Sequence, residues 1–294
     1  MSTLHEFSDA IASVVKQTSQ FVVTVHGGTR FDSAGVVWHP GVVVTTDHTV
    51  RQDEDLRVTL PHGKTIAATL AGRDPGTDLA VLKFEGESAA RGELSSSLEP
   101  GKLALAVGRS ADTGPNASLG VVSAVGKPWK TWHGGQLDAY VRLDVTLYPG
   151  TSGAAVVDAS GAVIGIATTA LSRIAPVAVP ASTVDRVVRE IVARGSVGRP
   201  YLGVAVQPIP IPGNLTEAAA GANRGLIVLT SEAAGILVGD ILLRVGDASV
   251  SHPGELQSVL GRHAPGDKVN VLTLRGGEPK QIEVALQERR GRTE

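Results

Sequence analysis

The sequence predicts a mainly β fold, built of small barrels or sandwiches and followed by a compact α/β module. Three observations point there. Apolar runs are short and broken by turn residues; 35 glycines accompany an abundance of valine, and only 3% of residues are aromatic. Hydrophobic residues make up 42% of 294, enough for sizeable cores and for more than one domain. Net charge is −2, from 27 basic and 29 acidic residues spread evenly. No basic stripe points to nucleic acid and no like-charge block forms a tail.

From the N-terminus, Leu4, Phe7, Ile11, Val14 and Val15 recur at helical spacing, which predicts an amphipathic helix over 4–18 packed on the strands after it. Phe21 to Val25 reads as a strand, and 34–38 with 42–46 as a hairpin about Pro40-Gly41. His48 ends that hairpin. Arg73-Asp74-Pro75-Gly76 is a turn before the strand Asp78 to Lys83; residues 101–108 and 118–125 are further strands, and 128–136 is a loop. Val177 to Val179 runs into Pro180, and a helix is predicted over 182–194 with Ser182 as its cap and Val184, Val187, Val188 and Ile191 on one face.

A linker at 196–200 divides a first domain, 1–195, from a second, 201–288, leaving a tail at 289–294. The second domain is read as strands 201–206, 225–230 and 240–245, a loop 207–224, a helix near 254–260 and a closing hairpin 268–275/280–286 about Gly276-Gly277.

The chemistry centres on Asp144 to Ile166. A strand over 141–145 breaks at Tyr148-Pro149-Gly150 and resumes at 154–157; it turns at Asp158 to Gly161 and returns as 162–168. Ser152 therefore lies in a tight turn between Gly150 and Gly153, where backbone N–H groups can converge on one point, as an oxyanion hole requires. A hydroxyl there becomes a nucleophile only with a base and an orienting carboxylate. His48 is the candidate base. Of two candidate aspartates, Asp74 precedes Pro-Gly and reads as a turn former, whereas Asp78 opens a buried strand and can point inward toward an imidazole N–H. The order His48, Asp78, Ser152 is one in which such triads occur on two-barrel β folds. The chain has 8 histidines without H-x-x-x-H spacing and no cysteine, so neither a metal site nor any other cofactor is expected, and disulfides are excluded.

These residues lie in strings that resemble the HtrA (high-temperature requirement A) serine proteases: V-V-T-T-D-H at His48, D-P-G-T-D-L-A-V-L-K at Asp78, S-L-G-V-V-S-A-V-G, P-G-T-S-G-A-A-V-V-D at Ser152, and R-P-Y-L-G-V with V-G-D-I-L-L-R-V beyond. The resemblance spans about residues 5 to 287. It implies a chymotrypsin-like double β-barrel followed by a PDZ domain, and a serine endopeptidase acting on unfolded or damaged proteins through His48, Asp78 and Ser152. The oxyanion donors would be the N–H groups of Gly150 and Ser152. Leu147, Ile166 and Ala167 would line the S1 pocket, implying cleavage after small or medium aliphatic residues. Tyr201, Leu202, Gly203 and Val204 would form the PDZ loop that receives peptide C-termini. Homotrimers are the family's usual assembly; Leu4, Phe7 and Phe21 could contribute to one, or pack within the chain.

The sequence departs from the family pattern at three places. G-T-S-G-A replaces G-N-S-G-G, which puts Thr151 and Ala154 beside the serine, and Ser231 to Gly235 is a short connection in the PDZ module. If the Ala154 position demands a glycine conformation, the loop would be distorted. The alternative function is thus a protease-fold chaperone or adaptor with little catalysis. No basic n-region precedes an apolar stretch at the N-terminus and no run reaches the roughly 18 apolar residues of a membrane span. A cytoplasmic location is expected for the chain as written, or the envelope if a leader has been removed.

Overall fold

The computed structural model describes residues 2–86, 90–95, 98–132, 134–198, 200–261, 263 and 265–288. The predicted tail 289–294 lies outside them. The chain divides into two compact units, Met1–Val197 and Gly198–Glu294.

The first unit opens with α1 (Thr3–Thr18). Only its C-terminal half packs as the spacing predicts: Val14 is buried, while Leu4 is 77% and Phe7 44% exposed. Phe21 is buried in the core of its own unit. Six strands come next: β1 (Val22–His26), β2 (Ser33–His39), β3 (Val42–Thr45), β4 (Arg57–Thr59), β5 (Thr65–Asp74) and β6 (Leu79–Phe84). They close into a barrel in the order β1-β2-β3-β6-β5-β4. Val22, Val23, Val25, Val36, Val37, Val43 and Val44 are wholly buried. Branched side chains suit the pleated, half-buried wall of a small barrel, which explains the valine-rich composition.

A second closed barrel is made of β7 (Leu103–Ser110), β8 (Gly114–Gly126), β11 (Tyr140–Asp144), β12 (Ala155–Val157), β13 (Val163–Thr168) and β14 (Val177–Pro180), in the order β11-β14-β13-β12-β7-β8. The loop expected at 128–136 contains a two-residue ribbon, β9 (Trp129–Lys130) with β10 (Gln136–Leu137). Then α2 (Ala181–Arg194) covers the core with the predicted face of Val184, Val187, Val188 and Ile191. Its cap position is Pro180, with no side-chain cap bond, rather than Ser182. Proline's fixed φ suits the entry to a helix, so the turn needs no hydroxyl.

The second unit begins with β15 (Pro200–Tyr201) and β16 (Val204–Pro210), followed by β17 (Arg224–Ser231), β18 (Ile241–Val245) and β19 (Ala248–Ser249). Then come α3 (Pro253–Leu260), β20 (Lys268–Arg275), β21 (Glu278–Ala285) and β22 (Gln287–Glu288). The main sheet runs β16-β17-β18-β20-β21, with β19 on β18 and β15 paired to β22. The loop expected from 207 is shorter than the sequence suggested, because β16 continues through Pro208 to Pro210 and pairs with Leu226 to Arg224 of β17. Proline lacks the N–H of a central strand but is accommodated at a sheet edge, where β16 lies.

Candidate active site

Both barrels of the first unit contribute to one cleft of about 570 Å³, bordered by His48, Leu147, Gly150, Ser152 and Thr169 among others. His48 sits on a 3-10 turn, Asp47–Thr49, immediately after β3. The turn is held by Arg73, which donates to Asp47 Oδ1 at 3.0 Å and to Gln52 O at 3.0 Å, and also to Val50 O. Burial pushes the Asp47 carboxyl up, against the hydrogen bond and charge of Arg73.

Asp78 is 4% exposed and has a left-handed φ of +56°. An aspartate tolerates that region better than most residues, and strained backbone of this kind clusters at functional sites. Its peptide is restrained by Asp47 N–H, which donates to Asp78 O at 3.2 Å. The carboxylate meets His48 twice. His48 Nδ1 lies 3.0 Å from Oδ1 and 2.9 Å from Oδ2, and the His48 backbone N–H donates to Oδ1 at 3.0 Å. Thr168 Oγ1, at the end of β13, donates to Oδ2 and accepts from Ala170 N–H at 3.0 Å. Thr168 escaped sequence reasoning because a threonine closing a strand looks like any β-former. Asp74, by contrast, accepts from Gly76 N–H at 3.2 Å and from Thr77 Oγ1 at 2.7 Å, as a turn former does.

Ser152 stands on the opposite side of the cleft, in the turn between β11 and β12. Gly150 has φ +86° and Gly153 φ +89°, so both use conformations that favour glycine. A Cβ on Gly153 would also lie 2.0 Å from Ala34 O. Neighbouring N–H groups are taken: Thr151 donates to Tyr148 O at 2.9 Å, Gly153 to Ala167 O at 2.9 Å and Ala154 to Thr151 O at 3.0 Å. Those of Gly150 and Ser152 have no acceptor among the described residues. Ser152 Oγ lies 3.5 Å from Thr169 Oγ1, and no Ser152–His48 hydrogen bond is present among the described residues.

The distortion feared at Ala154 does not arise. It is absent from the residues with positive φ, is fully buried and packs in the core of the second barrel. Leu147 borders the cleft, but Ile166 and Ala167 do not. Both are wholly buried in β13, and they join different cores because successive strand residues face opposite ways.

In the second unit Tyr201 pairs with Gln287, Leu202 is buried in the core and Gly203 has φ +79°. Val204 starts β16, a terminal strand of its sheet. The N–H groups of Leu202 and Gly203 have no acceptor among the described residues. The short connection after Ser231 folds onto this loop, with Glu232 N–H donating to Gly203 O at 2.7 Å.

Among the described residues no His, Cys, Asp and Glu group of metal-site composition occurs, and no helix is long and apolar enough to cross a membrane.

Two barrels with a serine, a histidine and a buried aspartate at one cleft, joined to a second small unit, define a peptidase-type architecture. A trypsin-like peptidase domain model matches residues 33–166 and a PDZ domain model matches 223–286. The serine protease Do-like HtrA of Lactobacillus helveticus is 32% identical over 290 residues, covering 88% of this chain and 69% of that protein. The probable periplasmic serine endoprotease DegP-like of Brucella suis biovar 1 is 32% identical over 272 residues, covering 86% of this chain and 52% of that protein. The chain thus spans about half the length of the DegP-like relative. Among solved structures, the HtrA-type protease AlgW with tripeptide superposes with TM-score 0.65 at 26% identity, covering 96% of this chain and 98% of that one. The serine endoprotease from Yersinia pestis gives TM-score 0.69 at 24% identity, covering 95% and 98%. The chain belongs to the HtrA family of serine proteases, with one PDZ domain after the protease domain.

Proposed function

We propose that this chain is a serine endopeptidase that cleaves unfolded or damaged proteins through an acyl-enzyme. One observation carries the reading: a buried carboxylate, Asp78, holds His48 Nδ1 at 2.9 Å on the cleft that Ser152 also borders. With Nδ1 turned to Asp78, Nε2 is the nitrogen left to take the proton of Ser152 Oγ as it attacks a peptide carbonyl. The imidazolium so formed is stabilised by Asp78 and returns its proton to the leaving amine. The unclaimed N–H groups of Gly150 and Ser152 receive the oxyanion; such a donor is worth about 3 kcal/mol in comparable sites. Leu147, uncharged at the cleft, supports a preference for small or medium aliphatic residues before the cleaved bond.

In the PDZ domain the free N–H groups of Leu202 and Gly203 receive a peptide C-terminus, and the peptide pairs along the open edge of β16. The exposed Leu4 and Phe7 of α1 favour a homo-oligomeric contact, a trimer by the family's habit. The name of the periplasmic relative supports the cell envelope as the place of action.

One observation favours the second reading, a binding protein with little catalysis. Ser152 Oγ is near Thr169, and no bond to His48 is present among the described residues. Catalytic hydrogen bonds often tighten only around substrate, which leaves the protease reading the stronger. Degradation of a denatured protein by the wild type, and its loss in His48→Ala and Asp78→Ala with folding intact, is the expected result. Equal degradation by all three would refute the assignment.

A further inference from the structure

The cleft wall beyond His48 carries charge that the triad does not use. It is formed by two segments of the first barrel: 27–32, joining β1 to β2, and 49–52, following His48. They are locked together. Arg51 N–H donates to Gly27 O at 2.8 Å. A Cβ on Gly27 would lie 2.6 Å from Thr49 O, and one on Gly28 would lie 2.4 Å from Gln52 Oε1, so neither glycine admits a side chain without movement. His26 Nδ1 lies 2.8 Å from Asp32 Oδ1 and closes the first segment on itself.

On this wall Arg30 and Arg51 both border the cleft. Among the described residues neither guanidinium has a carboxylate partner; the Arg30 head lies over the Phe31 ring, 5.3 Å from its centroid. The acid that borders the same cleft, Asp32, is engaged by His26, and nearby Asp47 by Arg73. The cleft wall is therefore net positive and already shaped.

Which part of a substrate meets it is set by proton transfer. His48 must reach the leaving nitrogen, so the chain beyond the cleaved bond lies on the His48 side, over 27–32 and 49–52. The acyl half lies toward Leu147 and Thr169, with Gly150, which abuts Asp32, between the two halves. We propose that Arg30 and Arg51 form a carboxylate-recognising subsite for the substrate segment C-terminal to the cleaved bond. The carboxylate is either an acidic side chain there or the free end of a chain cut near its terminus. The inference rests on the proteolytic reading above.

Both arginines are exposed, so each contact contributes a factor of at most about five. A combined preference of about threefold to twentyfold is expected at low salt, shrinking as the Debye length falls from about 8 Å near 0.15 M to about 3 Å at 1 M.

The test uses the full chain and matched quenched peptides carrying Glu or Gln in the first positions after the bond, each with a free or an amidated C-terminus. The readout is the Glu/Gln and free/amide ratio of kcat/KM within each variant, which does not depend on the fraction of folded enzyme. Wild type should favour Glu or the free terminus, and whichever ratio exceeds one names the source of the carboxylate. Arg30→Glu with Arg51→Glu should abolish or invert it. Cleavage of all peptides at equal rates, or a ratio unmoved by charge reversal, overturns this proposal alone. Cleavage of none removes the proteolytic reading and this proposal with it.

Discussion

Thr168→Val tests whether the aspartate is held as the structure implies. The substitution keeps the shape of the side chain and removes one hydroxyl. Asp78 then loses the Thr168 hydroxyl at Oδ2, keeping there only His48 Nδ1, while the His48 backbone N–H still binds Oδ1, so the carboxylate is less firmly fixed about its own bond. At 4% exposure no ready access for solvent compensates. A hydrogen bond to a charged group is worth about 1.5–3 kcal/mol, and the Ala170 N–H that loses its acceptor adds a smaller cost in stability. Because 1.36 kcal/mol is a factor of ten, kcat should fall about tenfold to a hundredfold, with KM within about twofold, since Thr168 is absent from the lining of the cleft. Thr168→Ser, which restores the donor, should recover most of the rate. Steady-state kinetics on a peptide substrate, with a melting curve for each variant, decides. A folded Thr168→Val protein with kcat within twofold of wild type would refute the idea that this hydroxyl orients Asp78.

Three further outcomes are expected from the same geometry. Ala154→Gly should not raise activity, because Ala154 already has an ordinary φ; it should only lower stability, by roughly 0.5–1 kcal/mol, visible in the melting temperature. Gly153→Ala should reduce peptide cleavage by at least about a hundredfold, since its Cβ would lie 2.0 Å from Ala34 O and displacement of the serine loop by an ångström costs about that much. In the PDZ domain, Arg275 donates to both oxygens of the buried Asp240 at 2.8 Å, and those hydrogen bonds hold its carboxyl below the usual range. A carboxyl depressed by folding stabilises above its unfolded pKa, near 3.9, and loses that contribution as pH falls through the folded value. The PDZ domain should thus begin to lose this stability below about pH 4. Arg275→Gln should flatten that part of the pH–melting profile, and an unchanged profile would count against the pair.

What was legible in the sequence is what is local and periodic. The apolar stripe of α2 was readable from i, i+3, i+4 spacing, and the β2–β3 hairpin from Pro40-Gly41 between valine runs. The choice of Asp78 over Asp74 came from Pro-Gly chemistry at one and an apolar strand at the other. What escaped was set by tertiary closure. Strands β4 and β5 went unread because Thr65 to Asp74 is largely half-exposed and lacks clean alternation. Thr168 meets Asp78 only because the two barrels face each other across 90 residues of chain. Ile166 and Ala167 were assigned to S1 by resemblance alone, and what the structure adds is their burial in β13 between β12 and β14. Nor could composition show that Phe21 would serve the core while Leu4 and Phe7 remained outside it.

The central claim is that Ser152 is a nucleophile made reactive by His48 and Asp78. Labelling by a fluorophosphonate probe tests it most directly, on wild type, Ser152→Ala and Asp78→Ala. Stoichiometric labelling of wild type at Ser152, none in Ser152→Ala and labelling slowed by orders of magnitude in Asp78→Ala is the predicted result. An unlabelled but folded wild type, or equal labelling of the serine variant, would contradict it.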